Sequence, residues 1–352
     1  MSTSTLTIRR PDDWHVHLRD EALLGAVLDA TASVFARAVV MPNLRPPITT
    51  TSAAAAYRAR IQAALAPGTR FTPLLACYLT EAIDLTDFHA GVRDGVFSAV
   101  KYYPAGATTN SDAGVAEFKR VYPLLEAIQT LGIPLLVHGE VADIRVDIFD
   151  REAVFIDRVL APLRRDFPAL KLVLEHVTTI EGVGFVTDAS GPTAATITPH
   201  HLMLNRNAMF ERGLRPHAYC LPVVKRERHR LALRAAATSG DPRFFLGTDS
   251  APHLRHLKEH ECGCAGIFNA PTALACYAQV FDEEQKLDKL EGFAALHGAA
   301  FYGLAANTEV IELSKSSASH TASDLAIGPD AIRVFTPPGG LRWHVSKLPH
   351  SP

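Results

Sequence analysis

His15 and His17 stand one residue apart in the stretch DDWHVHLRD. In an extended segment positions i and i+2 face the same way, so both imidazoles can reach one object, and a metal ion is the obvious candidate. Histidine pairs also occur on solvated strands, so the pair alone leaves both readings open. Four more titratable residues lie toward the ends of apolar runs further along: Lys101, His138, His176 and Asp249. A lone histidine at such a place is more often a hydrogen-bonded core residue, and a lone lysine an ion-pair partner or a phosphate contact. Together the six make a divalent-metal set with one odd member, because an ammonium cannot ligate a cation. A lysine desolvated between metals can lose its proton. The neutral amine can then add carbon dioxide to give a carbamate, an anionic group able to bridge two metals.

The elements that must position these residues are eight β-rich runs, at 14–18, 36–43, 70–79, 97–103, 133–140, 170–177, 193–201 and 243–250. Most are near-continuous apolar runs, as expected of parallel strands covered on both faces. Helix-permissive stretches such as 51–66, 115–132 and 151–168 separate them, and Pro123 kinks or restarts the second. Eight strand and helix units predict a (β/α)8 TIM barrel, class α/β, of the metal-dependent hydrolase type. A doubly wound open sheet would favour a glycine-rich phosphate loop after the first strand, and WHVHLRD supplies none. The expected division is a barrel over 1–307 and a short irregular C-terminal extension over 308–352, packed on the barrel. In a barrel the six residues converge at the C-terminal mouth, where active sites are built. Asp20 reads as a helix N-cap.

With 35 basic and 37 acidic residues and a net charge of -2, there is no cationic field of the kind nucleic-acid or membrane-surface binding uses. A small-molecule substrate is the expected partner. The N-terminal stretch lacks the apolar core of a signal peptide, and no run approaches the length of a membrane span, so the expectation is a cytoplasmic protein. Five scattered cysteines do not make a disulfide framework. Cys262 and Cys264, with His256 and His260, have poor spacing for a closed zinc site and read as incidental thiols in a glycine-punctuated loop.

HxH after strand one, Lys after strand four, His after strands five and six and Asp after strand eight is similar to the pattern of the binuclear amidohydrolase superfamily. Over nearly its full length the chain resembles the dihydroorotases, in their short bacterial class. DDWHVHLRD, VVMPNLRPP, AVKYYPAGATTNSDAG, PLLVHGE, LVLEHVTT, ITPHHLMLNRN and FLGTDSAPH carry the likeness in order.

That resemblance implies reversible opening and closing of the cyclic amide joining L-dihydroorotate and N-carbamoyl-L-aspartate, a step of pyrimidine biosynthesis. It implies two zinc ions, with cobalt or manganese as substitutes. One would be held by His15, His17 and Asp249, the other by His138 and His176, with Lys101 bridging as N6-carboxylysine. The nucleophile would be a bridging hydroxide formed between ions about 3.5 to 4 Å apart. Asp249 would act as general base and then as general acid. Arg19, on the same alternation as the histidine pair, would grip the substrate carboxylate with Asn43 and His253. His138 and backbone groups at Leu221 and Ala265 would contact the ring. Residues 104–114 would form a lid with Thr108 and Thr109 donating to substrate, against the plainer reading of a solvated connection. Tyr103 either supports the site or packs the barrel. A homodimer is implied. The alternatives are another binuclear cyclic-amide hydrolase, hydantoinase- or dihydropyrimidinase-like, and a non-catalytic scaffold on the same fold.

Overall fold

The computed structural model describes residues 4–261 and 263–348. After an N-terminal strand β1 (Ser4–Arg9) come eight short strands. They are β2 (Asp13–Val16), β3 (Arg37–Val40), β4 (Thr72–Tyr78), β5 (Phe97–Tyr102), β6 (Leu135–Val137), β7 (Leu172–Leu174), β8 (Thr193–Ile197) and β9 (Phe244–Leu246). These eight form one sheet in sequence order, every neighbouring pair parallel. A parallel bridge between Val16 and Ser250 joins its edges. Asp249 N donating to His15 O at 2.9 Å and His17 N donating to Ser250 O at 3.1 Å reinforce that seam. The expected (β/α)8 barrel is therefore the observed fold. Seven of the expected runs contain a strand whole, and the run at 14–18 overlaps β2, which begins one residue earlier at Asp13.

Alternation along the strands explains how a barrel filled with apolar side chains carries a polar mouth. Ala99, Leu136, Val173, Ala194 and Phe245 pack with Trp14, Val39, Met41 and Ala76 as one buried cluster inside the sheet. Two residues further along β5 to β9 come Lys101, His138, Glu175, Thr196 and Gly247, on the same face and one layer nearer the C-terminal end. The intervening Val100, Val137, Leu174, Ala195 and Leu246 face the helices. Gly247 is fixed by space. A Cβ there would lie 2.6 Å from Thr196 Cβ and 3.2 Å from His15 Cβ.

Local signals place the helices. Thr50 caps Thr51–Ala64 by accepting from Ala53 N, and Asp20 caps Glu21–Ala32 by accepting from Glu21 N, as expected of it. A 3-10 turn at Phe118–Val121 gives way to a helix at Tyr122–Leu131 with Pro123 in its first turn, so the proline restarts the helix.

After the barrel come β10 (Val310–His320), β11 (Leu325–Ile327), β12 (Asp330–Ile332) and β13 (Leu341–Lys347). β10 lies between β1 and β13 in an antiparallel sheet, with Leu6 opposite Leu313 and Lys315 opposite Trp343. The first strand of the chain is thus paired with its last segment. Trp343 is buried, and its Nε1 donates to Asp282 Oδ2 at 3.1 Å, which fastens this sheet to the helix Ala273–Glu283.

Candidate functional site

His15 and His17 project from β2 and the residue just beyond its end, Lys101 from β5, and His138, His176 and Asp249 from just past β6, β7 and β9. The imidazoles form a file, His17 to His15 to His176 to His138, with ring centroids 5.3, 5.1 and 4.8 Å apart. Ligating atoms of His15, His176 and Asp249 lie within 4.8 Å of one another. Asp249 Oδ1 is 3.3 Å from His15 Nε2 and 3.1 Å from His17 Nε2. Arg19, His176 and Asp249 have φ of 59°, 40° and 43°, the sparsely populated left-handed region for non-glycine residues. Strain of that kind is retained where the surroundings over-determine it, commonly at a working site.

Outer partners set the ring tautomers. Glu175 Oε2 lies 2.7 Å from His15 Nδ1 and also accepts from Thr196 Oγ1 at 2.6 Å. Asn43 Oδ1 lies 2.9 Å from His17 Nδ1, and Glu140 Oε2 lies 2.9 Å from His138 Nε2. When these oxygens take the ring protons, Nε2 of His15 and His17 and Nδ1 of His138 are left as lone pairs. Two such lone pairs then face the Asp249 carboxylate oxygen, and only a shared cation or proton reconciles them. Burial drives His17 down to about 4, away from the charged form. Burial opposes charge on His15, but Glu175 and Asp249 outweigh it and raise its pKa. Burial also opposes charge on Asp249, yet His15 and His17 hold it well below the usual carboxylate range.

Lys101 is fully buried, and its Nζ has no hydrogen-bond partner among the described residues. Burial lowers its pKa to about 8 against the pull of Glu175 and Asp249. His176 Nδ1 is also buried without a hydrogen-bond partner among the described residues. An easily neutralised amine, an orphaned imidazole nitrogen, three oriented histidines and a carboxylate are a donor set that fits divalent metal.

His15, His17, Arg19, Asn43, Tyr103 and Asp249 line one side of a small cavity at the barrel mouth. Thr108, Thr109, His138, His176, Leu221 and Ala265 line the other. Arg19 Nε donates to Pro252 O at 3.0 Å, and Tyr57 Oη donates to Arg19 O. Arg19 Nη2 lies 3.0 Å from His253 Nε2, which is itself 3.0 Å from Ala265 O, so His253 stands behind Arg19. The loop 104–114 lies across the mouth. Asn43 Nδ2 donates to Thr109 O at 3.0 Å, and Thr109 Oγ1 to Ala265 O at 3.4 Å. Of the candidate site residues, all line this cavity except Lys101, which is fully buried on β5, and His253, which stands behind Arg19.

Sequence reasoning missed Glu175 and Glu140. Each sits close to a candidate ligand, in LEHV and HGE, and only burial, which the sequence does not display, separates a bracing acid from one that meets solvent. Tyr103, left open above, lines the cavity with its hydroxyl buried and unpartnered among the described residues. No ligand cluster forms at His256, His260 and Cys264 among the described residues, and Cys262 lies outside them.

Residues 12–316 match the amidohydrolase family. A dihydroorotase of Chelativorans sp. (strain BNC1) is 58% identical over 342 residues, 97% of this chain and 99% of its own. The solved structure of a Saccharomyces cerevisiae dihydroorotase in complex with 5-fluoroorotic acid superposes with a TM-score of 0.87 at 34% identity, covering 98% of each chain. An L-hydantoinase (dihydropyrimidinase) from Arthrobacter aurescens has a TM-score of 0.80 over 99% of this chain and 85% of its own, but 16% identity, which is a likeness of fold. The seam of ligand-type side chains at the barrel mouth and near-full-length identity point the same way: the chain belongs to the amidohydrolase family and, within it, to the dihydroorotases.

Proposed function

We propose that this chain interconverts L-dihydroorotate and N-carbamoyl-L-aspartate by opening and closing one cyclic amide bond. The observation that carries the reading is the placement of Arg19 beside His15, His17 and Asp249 in the lining of one cavity. A substrate with a carboxylate next to its reacting amide needs a cation grip and a hydrolytic centre within one small molecule's reach.

His15, His17 and Asp249 would hold one zinc ion, and His138 and His176 a second, with Lys101 as a carbamate between them. When bound, the two ions supply Lewis-acid polarisation of the amide carbonyl and make water acidic enough to attack near neutral pH. The Asp249 carboxylate takes the proton released as water attacks and passes it to the departing ring nitrogen, and the same path in reverse serves ring closure. Held ionised by His15 and His17, it enters the cycle as a base. Arg19, backed by His253, grips the substrate carboxylate, and Asn43 adds a polar contact. Leu221 and Ala265 offer backbone groups to the amide edges of the ring. Thr108 and Thr109 close the lid, which excludes water and strengthens every charge contact beneath it.

The test is turnover of L-dihydroorotate by zinc-loaded protein, followed as loss of its ultraviolet absorbance, beside hydantoin and dihydrouracil. The expected outcome is turnover of dihydroorotate and little of the two substrates that lack the carboxylate. No turnover of dihydroorotate by protein carrying both ions would refute the reading. On the family resemblance we further propose a cytoplasmic homodimer, checked by light scattering. No helix among the described residues is long and apolar enough to cross a membrane.

A further inference from the structure

Two turns wall the cavity with main chain. One carries Leu221, the other Ala265 and Gly266. Recognition by backbone groups is only as selective as the backbone is fixed, and neither turn belongs to the barrel sheet.

A single ammonium ties the two turns together. Lys258 Nζ donates to Tyr219 O at 2.9 Å, to Cys264 O at 2.7 Å and to Gly266 O at 2.8 Å. The carbonyls on either side of Ala265 thus converge on the same cation as one just ahead of Leu221. Gly266 N donates to that same Tyr219 carbonyl at 3.1 Å. Lys258 is 3% exposed, all three of its protons are used, and the Tyr219 ring lies 5.8 Å from Nζ. No neutral side chain can replace a three-proton donor at that point.

His201 holds the Leu221 turn from its other side. Thr198 Oγ1 accepts from His201 N at 3.1 Å and lies 2.7 Å from His201 Nδ1, and since the Pro222 carbonyl facing Nε2 can only accept, the hydroxyl proton goes to Nδ1. His201 Nε2 then carries the ring hydrogen and donates to Pro222 O at 2.9 Å. The Cys220 thiol donates to the same carbonyl at 3.2 Å. His200, His201 and Cys220 have ligating atoms within 4.8 Å of one another, as a metal trio would. Both nitrogens of His201 are nevertheless engaged, and burial pushes the Cys220 thiol up to about 12, which suits a hydrogen-bonded clamp.

We propose that Lys258, with His201, is a positioning residue that sets the Leu221 and Ala265 main chain against the ring of the substrate. The inference rests on the cyclic-amide reading of the cavity and adds to it what makes a wall of loops selective. Neither side chain touches the reacting atoms, so the interaction they support is made alike to ground state and transition state. Their loss therefore falls on binding.

The test uses the zinc-loaded full chain as wild type, Lys258→Met, His201→Gln and His201→Asn. It reads KM and kcat for dihydroorotate, Kd for 5-fluoroorotic acid by calorimetry, and zinc content. Lys258→Met is expected to keep its zinc, to raise KM and Kd together by about tenfold or more, and to change kcat by less than about threefold. The Gln amide reaches the Nε2 position and the Asn amide does not, so His201→Gln retains affinity that His201→Asn loses by about fivefold. If Lys258→Met does not fold, the His201 pair makes the same decision. Wild-type KM and Kd in Lys258→Met and His201→Asn, or a fall in kcat with KM unchanged, would overturn the proposal. Wild type that neither turns over dihydroorotate nor binds the probe would instead overturn the functional reading on which it rests.

Discussion

Glu175 Oε2 lies 2.7 Å from His15 Nδ1, and neither side chain is more than 1% exposed. The carboxylate holds the ring in one tautomer and turns Nε2 toward Asp249. Outer carboxylates of this kind typically contribute about 10- to 100-fold to metal affinity. Glu175→Gln is expected to lose zinc to a chelator at a free-metal level about 10- to 100-fold higher than wild type, with little change in KM. Equal zinc affinity in the two proteins would count against this role.

Lys101→Ala should lose metal and activity together, because the bridge supplies both a ligand and the negative charge that offsets two dications. Zinc content should fall to one ion or none, and turnover by on the order of a thousandfold or more. A variant that keeps two zinc ions and wild-type turnover would remove Lys101 from the centre.

The carbamate can form only from the neutral amine, and burial lowers the Lys101 pKa to about 8. At lower pH the amine is mostly protonated. At a fixed level of dissolved carbon dioxide, reactivation of stripped protein by zinc should therefore speed up with pH, by about tenfold per unit below 8, and level off above it. Activity recovery followed from pH 6.5 to 9 checks this. A rate independent of pH would show that amine deprotonation does not limit assembly of the centre.

Much of this site was legible because barrel strands are short, buried on both faces and strictly alternating. Apolar runs ending in His138, His176 or Asp249 announced both the strand and the mouth of the barrel. Period two placed His15, His17 and Arg19 on one line. Glu175 was not legible, since an acid next to a histidine looks the same whether it braces a ligand or meets solvent. Lys258 was hidden in HLKEHE, part of the stretch read as a glycine-punctuated loop, and the nearby carbonyls of Cys264 and Gly266 with the distant one of Tyr219 bury it. The pairing of Ser4–Arg9 with Val310–His320 joins segments some 300 residues apart, and no local pattern encodes such a partner.

Arg19→Met tests the substrate grip. A charge-assisted bond to a carboxylate is worth about 1.5 to 3 kcal/mol, so KM for dihydroorotate should rise about 10- to 100-fold while kcat changes far less. An unchanged KM would place the carboxylate elsewhere in the cavity.

Gly247→Ala probes the seam beneath the metal ligands. Its Cβ would press on Thr196 and His15, 2.6 and 3.2 Å away. Overpacking of this sort costs about 1 to 3 kcal/mol, read as a lower unfolding temperature. Thr196 also carries Glu175, so zinc affinity should fall with it. A stable alanine variant with full zinc affinity would show that the seam can yield without cost.

The central claim is a two-metal centre bridged by a modified lysine at the mouth of this barrel. A crystal structure of the zinc-loaded protein, with anomalous data on both sides of the zinc edge, tests it most directly. Two zinc peaks are expected, one among His15, His17 and Asp249 and one at His138 and His176, joined by planar density continuing from Lys101 Nζ. A single peak, or an unmodified Lys101 amine between the two, would contradict it.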